Sequence, residues 1–138
     1  MFDQIYIAIL NHPKKRSLFT VEERITHIQR VLDNESRVSI EGFDGLLIDF
    51  AQKKQAFTII RGIRALSDFD YEFQMALMNR KLNNKVDSVF FMTDEKYSYL
   101  SSSTIKEVIQ LGGRVKDLVP TYIEDALIEK LKGNLNNE

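Results

Sequence analysis

The chain of 138 residues has no cysteine, which excludes disulfides, thiolate zinc centres and cysteine nucleophiles and suits a reducing compartment. Histidine is almost as scarce. His12 and His27 are the two present, too few for a histidine-rich metal site. Net charge is also small: 19 Lys and Arg against 20 Asp and Glu leave a formal −1, so no general attraction to nucleic acid or anionic membrane is expected and any anion site must be local. The apolar run near the start, Ile5 to Leu10, is far short of a membrane span and follows Asp3 rather than a basic segment. Neither a signal peptide nor an anchor is predicted. There is no internal repeat, low-complexity tract, dinucleotide-type glycine fingerprint or P-loop. What is present is ordinary globular material, 43% hydrophobic and 28% charged. A chain of this length buries roughly two thirds of its unfolded surface as one domain. That domain is expected over residues 1–132, with 133–138 as a polar tail.

The stretch Ile59 to Glu72, IIRGIRALSDFDYE, organises the rest. Phe57, Ile59, Ile60 and Ile63 suggest a strand covered on both faces. Arg61 and Arg64 arrive where that strand ends, and Ser67 or Asp68 can cap the helix that follows. Because ligands of open α/β sheets collect beyond the carboxyl ends of the strands, two permanently charged forks there suggest a phosphorylated ligand. Upstream, Ile5 to Leu10 reads as a buried strand followed by the basic loop Lys14, Lys15, Arg16. Thr20 with Glu23 forms a capping box, and Val21, Ile25, Ile28 and Leu32 continue one apolar helical face. A short strand is expected over Arg37 to Glu41, a turn at Gly42, Asp44 and Gly45, then a helix through Leu46, Leu47 and Phe50. Downstream come a helix carrying Phe69, Phe73, Ala76, Leu77 and Arg80 to Asn83, and a strand from Ser88 to Met92. After the loop Thr93 to Leu100, the serines 101–103 open a helix stopped by Gly112 and Gly113. Thr121 and Glu124 suggest a second capping box for a last helix with Ile123, Leu127, Ile128 and Leu131 inward. Strands alternating with helices predict a three-layer α/β fold on one parallel sheet with right-handed crossovers.

Three donor-rich loops, Lys14–Arg16, Arg61–Arg64 and Tyr97–Ser103, each follow a predicted strand and would share one sheet edge. Several positive groups and a helix N-terminus around one phosphorus suit triphosphate or diester chemistry. The structural alternatives stay open. The basic loop can be solvated surface, the serines can be plain caps, and Arg61 and Arg64 can form ion pairs with Asp68, Asp70 or Glu72. Tyr71 and Phe73 suit packing, His27 suits the polar side of its helix, and His12 is a weak candidate for catalysis.

Taken together, KKRSLFTVEER, GFDGLLIDF, IIRGIRALSDFDYE, MALMNRKL and YSYLSSSTIKE, in that order from about Phe2 to Leu131, resemble bacterial phosphopantetheine adenylyltransferase. The resemblance implies a Rossmann-like nucleotidylyltransferase fold and a cytoplasmic homohexamer. It implies transfer of AMP from ATP to 4′-phosphopantetheine, giving dephospho-coenzyme A and pyrophosphate with Mg2+ carried on ATP, and coenzyme A as a further ligand. By matching position, Lys15 and Arg61 would hold the phosphopantetheine phosphate, Lys15 also as the positioning group of catalysis, and Leu47 would contact the pantetheine arm. Gly62, Ile63, Arg64 and Glu72 would bind ATP, and Tyr97, Ser98, Tyr99, Leu100, Ser101, Ser102 and Ser103 would close over it. No metal ligand of the chain is implied.

The chain departs from the family at one point. Family members begin with a strand and a Gly-rich turn ending in a Thr-x-Gly-His motif, whereas no Gly-His pair occurs here. Met1-Phe2-Asp3 matches an internal family position, which implies an N-terminally truncated fold short of about 25 residues, a normal βα-unit length. The absent strand is central in the family sheet, so its two neighbours are expected to lack ladder partners and the chain to fold poorly. The alternative function is a non-catalytic nucleotide- or coenzyme-A-binding fragment or paralogue; a nucleic-acid-binding module is disfavoured by the net charge.

Overall fold

The computed structural model describes residues 1–33 and 35–135. Strands and helices alternate as β1 (Ile5–Leu10), α1 (Val21–Leu32), β2 (Val38–Phe43), α2 (Leu47–Lys53), β3 (Thr58–Ile63), α3 (Leu66–Leu82), β4 (Asp87–Met92), α4 (Ser102–Gln110) and α5 (Thr121–Leu135). A 3-10 turn over Glu95–Tyr97 interrupts the loop after β4. Strand β1 pairs with β2 in parallel, Ile5 opposite Val38 through Leu10 opposite Phe43. Strands β3 and β4 form a second pair. Its direction follows from two hydrogen bonds of equal sequence offset, Asp87 N–H to the Phe57 carbonyl at 3.0 Å and Thr93 N–H to the Ile63 carbonyl at 2.9 Å; in an antiparallel pair the offset would change along the ladder. The α/β class and parallel pairing therefore stand, but the single continuous sheet does not. Among the described residues the strands form two pairs.

The chain divides into two compact units, one of residues 1–59 and 75–89, the other of 60–74 and 90–138. In the first, Ile48 and Ala51 of α2 meet Ile59 of β3 and Val86, with Leu47 and Ala56 packed against them. Ile9 is the buried residue of β1. In the second, Ile105 and Ile109 of α4 and Leu127 and Leu131 of α5 are buried, and the two helices pack together. No described helix is long and apolar enough to cross a membrane.

Local chemistry explains several element boundaries. The Thr20 hydroxyl accepts the Glu23 N–H at 3.2 Å while the Glu23 carboxylate accepts the Thr20 N–H at 2.8 Å, so the capping box opens α1 as expected. Its predicted apolar face is half-buried. Asp33 ends the helix at φ +43°, a left-handed conformation that a short polar side chain tolerates. Gly112, at φ +83°, and Gly113 turn the chain after α4, with the Gly113 N–H returning to the Val108 carbonyl at 2.8 Å.

Several expectations are corrected. Gly42 lies inside β2 opposite Ile9, not in a turn, because a Cβ there would stand 2.6 Å from Cγ1 of Val21. The glycine marks a close approach of strand and helix. Strand β1 is not buried throughout, since Ile5 and Tyr6 are exposed, and Phe57 and Ile60 leave β3 covered at Ile59 and Ile63 only. The second capping box does not form: Glu124 is spent on the Arg114 guanidinium at 3.0 and 2.9 Å and on the Val115 N–H at 2.7 Å. Thr121 is, moreover, already the first residue of α5, one place past the cap position, and the Glu124 N–H donates to the Pro120 carbonyl at 3.1 Å. His27 sits half-buried, edge-on to Phe19 with centroids 4.9 Å apart, not on a polar face. Helix α3 starts at Leu66, so Asp68 falls in its first turn; the side chain of Ser67 lies outside the described residues. Tyr71 is exposed instead of packed, while Phe73 stacks on Phe69 at 5.6 Å. Helix α5 continues through Leu135, and 136–138 lie outside the described residues.

Candidate functional site

In the second unit, the β-branched run of β3 continues through Arg61 and Gly62, so Arg61 is a strand residue and Arg64 the first charged residue beyond the strand. Both guanidinium groups are held by carboxylates of the following helix. Arg61 donates from Nε and Nη2 to the two oxygens of Glu72 at 2.7 and 2.5 Å. This side-on fork holds the Arg61 guanidinium above even its usual high range, chiefly through the Glu72 hydrogen bonds. Arg64 donates from Nε to Asp68 Oδ2 at 3.0 Å and from Nη2 to Oδ1 at 3.4 Å. In turn the Arg64 side chain, first, and its backbone N–H hold the Asp68 carboxyl below the ordinary aspartate range. The ion pairs left open by spacing thus both form, with Asp70 taking part in neither.

Arg64 also reaches the serine loop, donating from Nη1 to the Leu100 carbonyl at 2.5 Å. Leu100 immediately precedes Ser101, which caps α4 by accepting the Thr104 N–H at 3.1 Å. Ser101 is therefore a cap, and Ser103 stands 2.9 Å from it, oxygen to oxygen, in the first turn of α4. Of the remaining segment, Tyr97 and Tyr99 are exposed, Lys96 lies 4.8 Å above the Tyr97 ring, and Ser98 donates to the Glu95 carbonyl at 2.8 Å. Ile63 is a core residue whose side chain is buried. Gly62 is different: a Cβ there would meet nothing closer than Thr93 Oγ1 at 3.9 Å, and its φ is not positive. Neither crowding nor strain among the described residues requires a glycine at this position.

The first unit has its own recess. A cleft of about 560 Å³ opens where β1 and β2 end and α1 begins, lined by Leu10, His12, Lys15, Phe19, Arg24 and Asp44 among others. Lys15 of the basic loop is among its lining residues. Two contacts shape its mouth. Asn11 donates to Asp44 at 3.0 Å, joining the ends of the two strands, and the Lys14 N–H donates to His12 Nδ1 at 3.1 Å. That bond makes Nδ1 an acceptor and leaves Nε2 as the ring's donor. Leu47 is not on the cleft wall; it opens α2 and packs toward the Ile48 cluster.

Chemically, the β3–α3 and α4 region offers fixed cations beside a helix N-terminus, and the cleft offers a lysine in a partly apolar recess. Such groups bind and orient phosphates; they form no nucleophile–base pair. Among the described residues no three His, Cys, Asp or Glu side chains come together as candidate metal ligands. The sequence reading missed the Asn11–Asp44 bridge and the Arg114–Glu124 pair, neither of which has a local signal.

Residues 1–108 match the family model described as cytidylyltransferase-like. Phosphopantetheine adenylyltransferase of Clostridium botulinum strain 657 is 48% identical over 136 residues, spanning 99% of this chain and 80% of the relative. The enzyme of that name from Caldanaerobacter subterraneus subsp. tengcongensis is 47% identical over 132 residues, 96% of this chain and 82% of the relative. The chain belongs to the cytidylyltransferase-like family and, within it, to the phosphopantetheine adenylyltransferases.

Proposed function

We propose that the chain transfers the adenylyl group of ATP to 4′-phosphopantetheine, giving dephospho-coenzyme A and pyrophosphate. The observation that carries this reading is the identity of 48% over 99% of the chain to enzymes named for that reaction. The chemistry asks chiefly for groups that position phosphates and neutralise their charge. A phosphate oxygen of phosphopantetheine attacks the α-phosphorus of ATP, a new P–O bond forms, and the bond to the β-phosphate oxygen breaks in line, releasing pyrophosphate. No covalent enzyme intermediate is needed, so positioning and charge stabilisation carry the rate.

Lys15 and Arg61 contact phosphopantetheine, while Gly62, Arg64 and the 97–103 segment serve ATP. The three N–H donors of Arg61 that Glu72 leaves unused, and the two that Arg64 retains, support these roles. Glu72 acts by holding Arg61, beside the nucleotide that the family resemblance assigns to it. Magnesium comes with the ATP phosphates. The enzyme works in the cytoplasm as a homohexamer that also meets coenzyme A; Phe69 and Phe73 of α3 are exposed at 41 and 46%, apolar side chains suited to contact with a second copy.

Incubating the chain with ATP, magnesium and 4′-phosphopantetheine should yield dephospho-coenzyme A and pyrophosphate in equal amounts, and neither product when one substrate is omitted. Binding of both substrates with no product would overturn the reaction and leave a nucleotide-binding protein.

A further inference from the structure

Arg64 is a cation of the second unit held in place by its neighbours. Three of its five N–H donors are engaged, two by Asp68 and one by the Leu100 carbonyl, so two remain for a ligand. Asp68 also accepts the Arg64 backbone N–H at 3.3 Å, which fixes both ends of the residue. The carboxylate sits in the first turn of α3, where the helix dipole favours its charge. A half-exposed i,i+4 ion pair of this kind contributes little to stability. Moreover, a negative charge next to a polyanion site opposes binding by simple electrostatics. A carboxylate in that place is explained if orienting the arginine outweighs the repulsion.

We propose that Asp68 is a positioning residue that presents the Arg64 guanidinium to the ATP phosphates. The proposal rests on the reading of Arg64 as an ATP contact. An arginine held before the ligand arrives loses less side-chain freedom on binding, and its tie to Leu100 aligns it with the start of α4. Asp68 acts through Arg64 and touches no reacting atom.

The sign of the effect separates this role from a bystander charge. In the full chain, Asp68→Asn and Asp68→Ala should weaken ATP binding measured by calorimetry roughly threefold to tenfold, the cost of one unfixed long side chain. Affinity for 4′-phosphopantetheine should change less than about twofold in the same variants. In an Arg64→Ala background, Asp68→Asn should have no further effect on ATP, because the partner it positions is gone. Unchanged or tighter ATP binding in both single variants would overturn the proposal, since that is what removal of a mere negative charge predicts. Additive losses in the double variant would overturn it as well, by making Asp68 a direct contact. Thermal melts of each variant accompany the titrations, and Asp68→Asn keeps the side chain's shape where Asp68→Ala does not. ATP binding without adenylyl transfer in the unaltered chain would count against the proposed reaction alone, the binding series still deciding the role of Asp68. No ATP binding in the unaltered chain would overturn both.

Discussion

Replacing Gly62 with alanine separates what the fold needs from what the ligand needs. A methyl group at this strand position would meet only Thr93 Oγ1, at 3.9 Å, an ordinary van der Waals contact, and no positive φ stands in its way. The folded state therefore accepts the change without strain. The unfolded chain, by contrast, loses the extra freedom of glycine, which stabilises the fold by about 0.4–1 kcal/mol. For a domain of this size that corresponds to a rise of roughly 1–4 °C in Tm. If the bare backbone at Gly62 is there so that ATP can approach it, the same methyl overpacks the complex. Overpacking costs about 1–3 kcal/mol, so ATP affinity should fall at least about fivefold. Differential scanning calorimetry and ATP titration on the same sample give both numbers. A lowered melting temperature together with unchanged ATP binding would refute the reasoning, by showing that the glycine serves packing after all.

The same substitution at Gly42 should act in the opposite direction. Its Cβ would lie 2.6 Å from Cγ1 of Val21, a stiff β-branched side chain at the start of α1, and about 1–3 kcal/mol of overpacking exceeds the entropic gain. Gly42→Ala should lower the urea midpoint with an unchanged m-value, and a raised midpoint would contradict the close approach of strand and helix. Glu124 gives a pH-dependent case. The Arg114 guanidinium, then the Val115 N–H, holds its carboxyl below the usual glutamate range. A depressed folded value means that its stabilisation is present above the unfolded glutamate value of about 4.3 and is lost as pH falls through the folded one. The difference in urea midpoint between the unaltered chain and Glu124→Gln should thus be full at neutral pH and shrink below about pH 4; a difference independent of pH would contradict the assignment.

The residues that read correctly from sequence are those whose partners lie a few positions away. Thr20 and Glu23 satisfy each other within one turn, and Gly112 ends α4 through its own backbone. The same Thr-x-x-Glu spacing at Thr121 failed, because Glu124 answers to Arg114 and Val115, fixed by packing rather than by spacing. Gly42 was misplaced for a similar reason. Local propensity marks a turn, but the constraint is Val21 from another element. Burial was the least legible property: continuous apolar runs such as Ile5 to Leu10 imply strands covered on both faces, yet Ile9 is the residue of that strand that is buried. For the site, sequence placed Lys15, Arg61, Arg64 and the serines at strand ends. It could not decide that each arginine is held by an acid of α3, since Asp68, Asp70 and Glu72 all lie within reach and only the helix start selects among them.

The central claim is that one short stretch, Ile59 to Glu72, serves two different substrates through two arginines fixed by two acids. Calorimetric titration of ATP and of 4′-phosphopantetheine into the unaltered chain, Arg61→Ala and Arg64→Ala tests it most directly. Loss of a charged hydrogen-bonding group costs about 1.5–3 kcal/mol, so each variant should lose roughly tenfold or more in affinity for its own substrate. Arg61→Ala should chiefly weaken 4′-phosphopantetheine and Arg64→Ala chiefly ATP. Equal losses for both substrates in both variants would contradict the division.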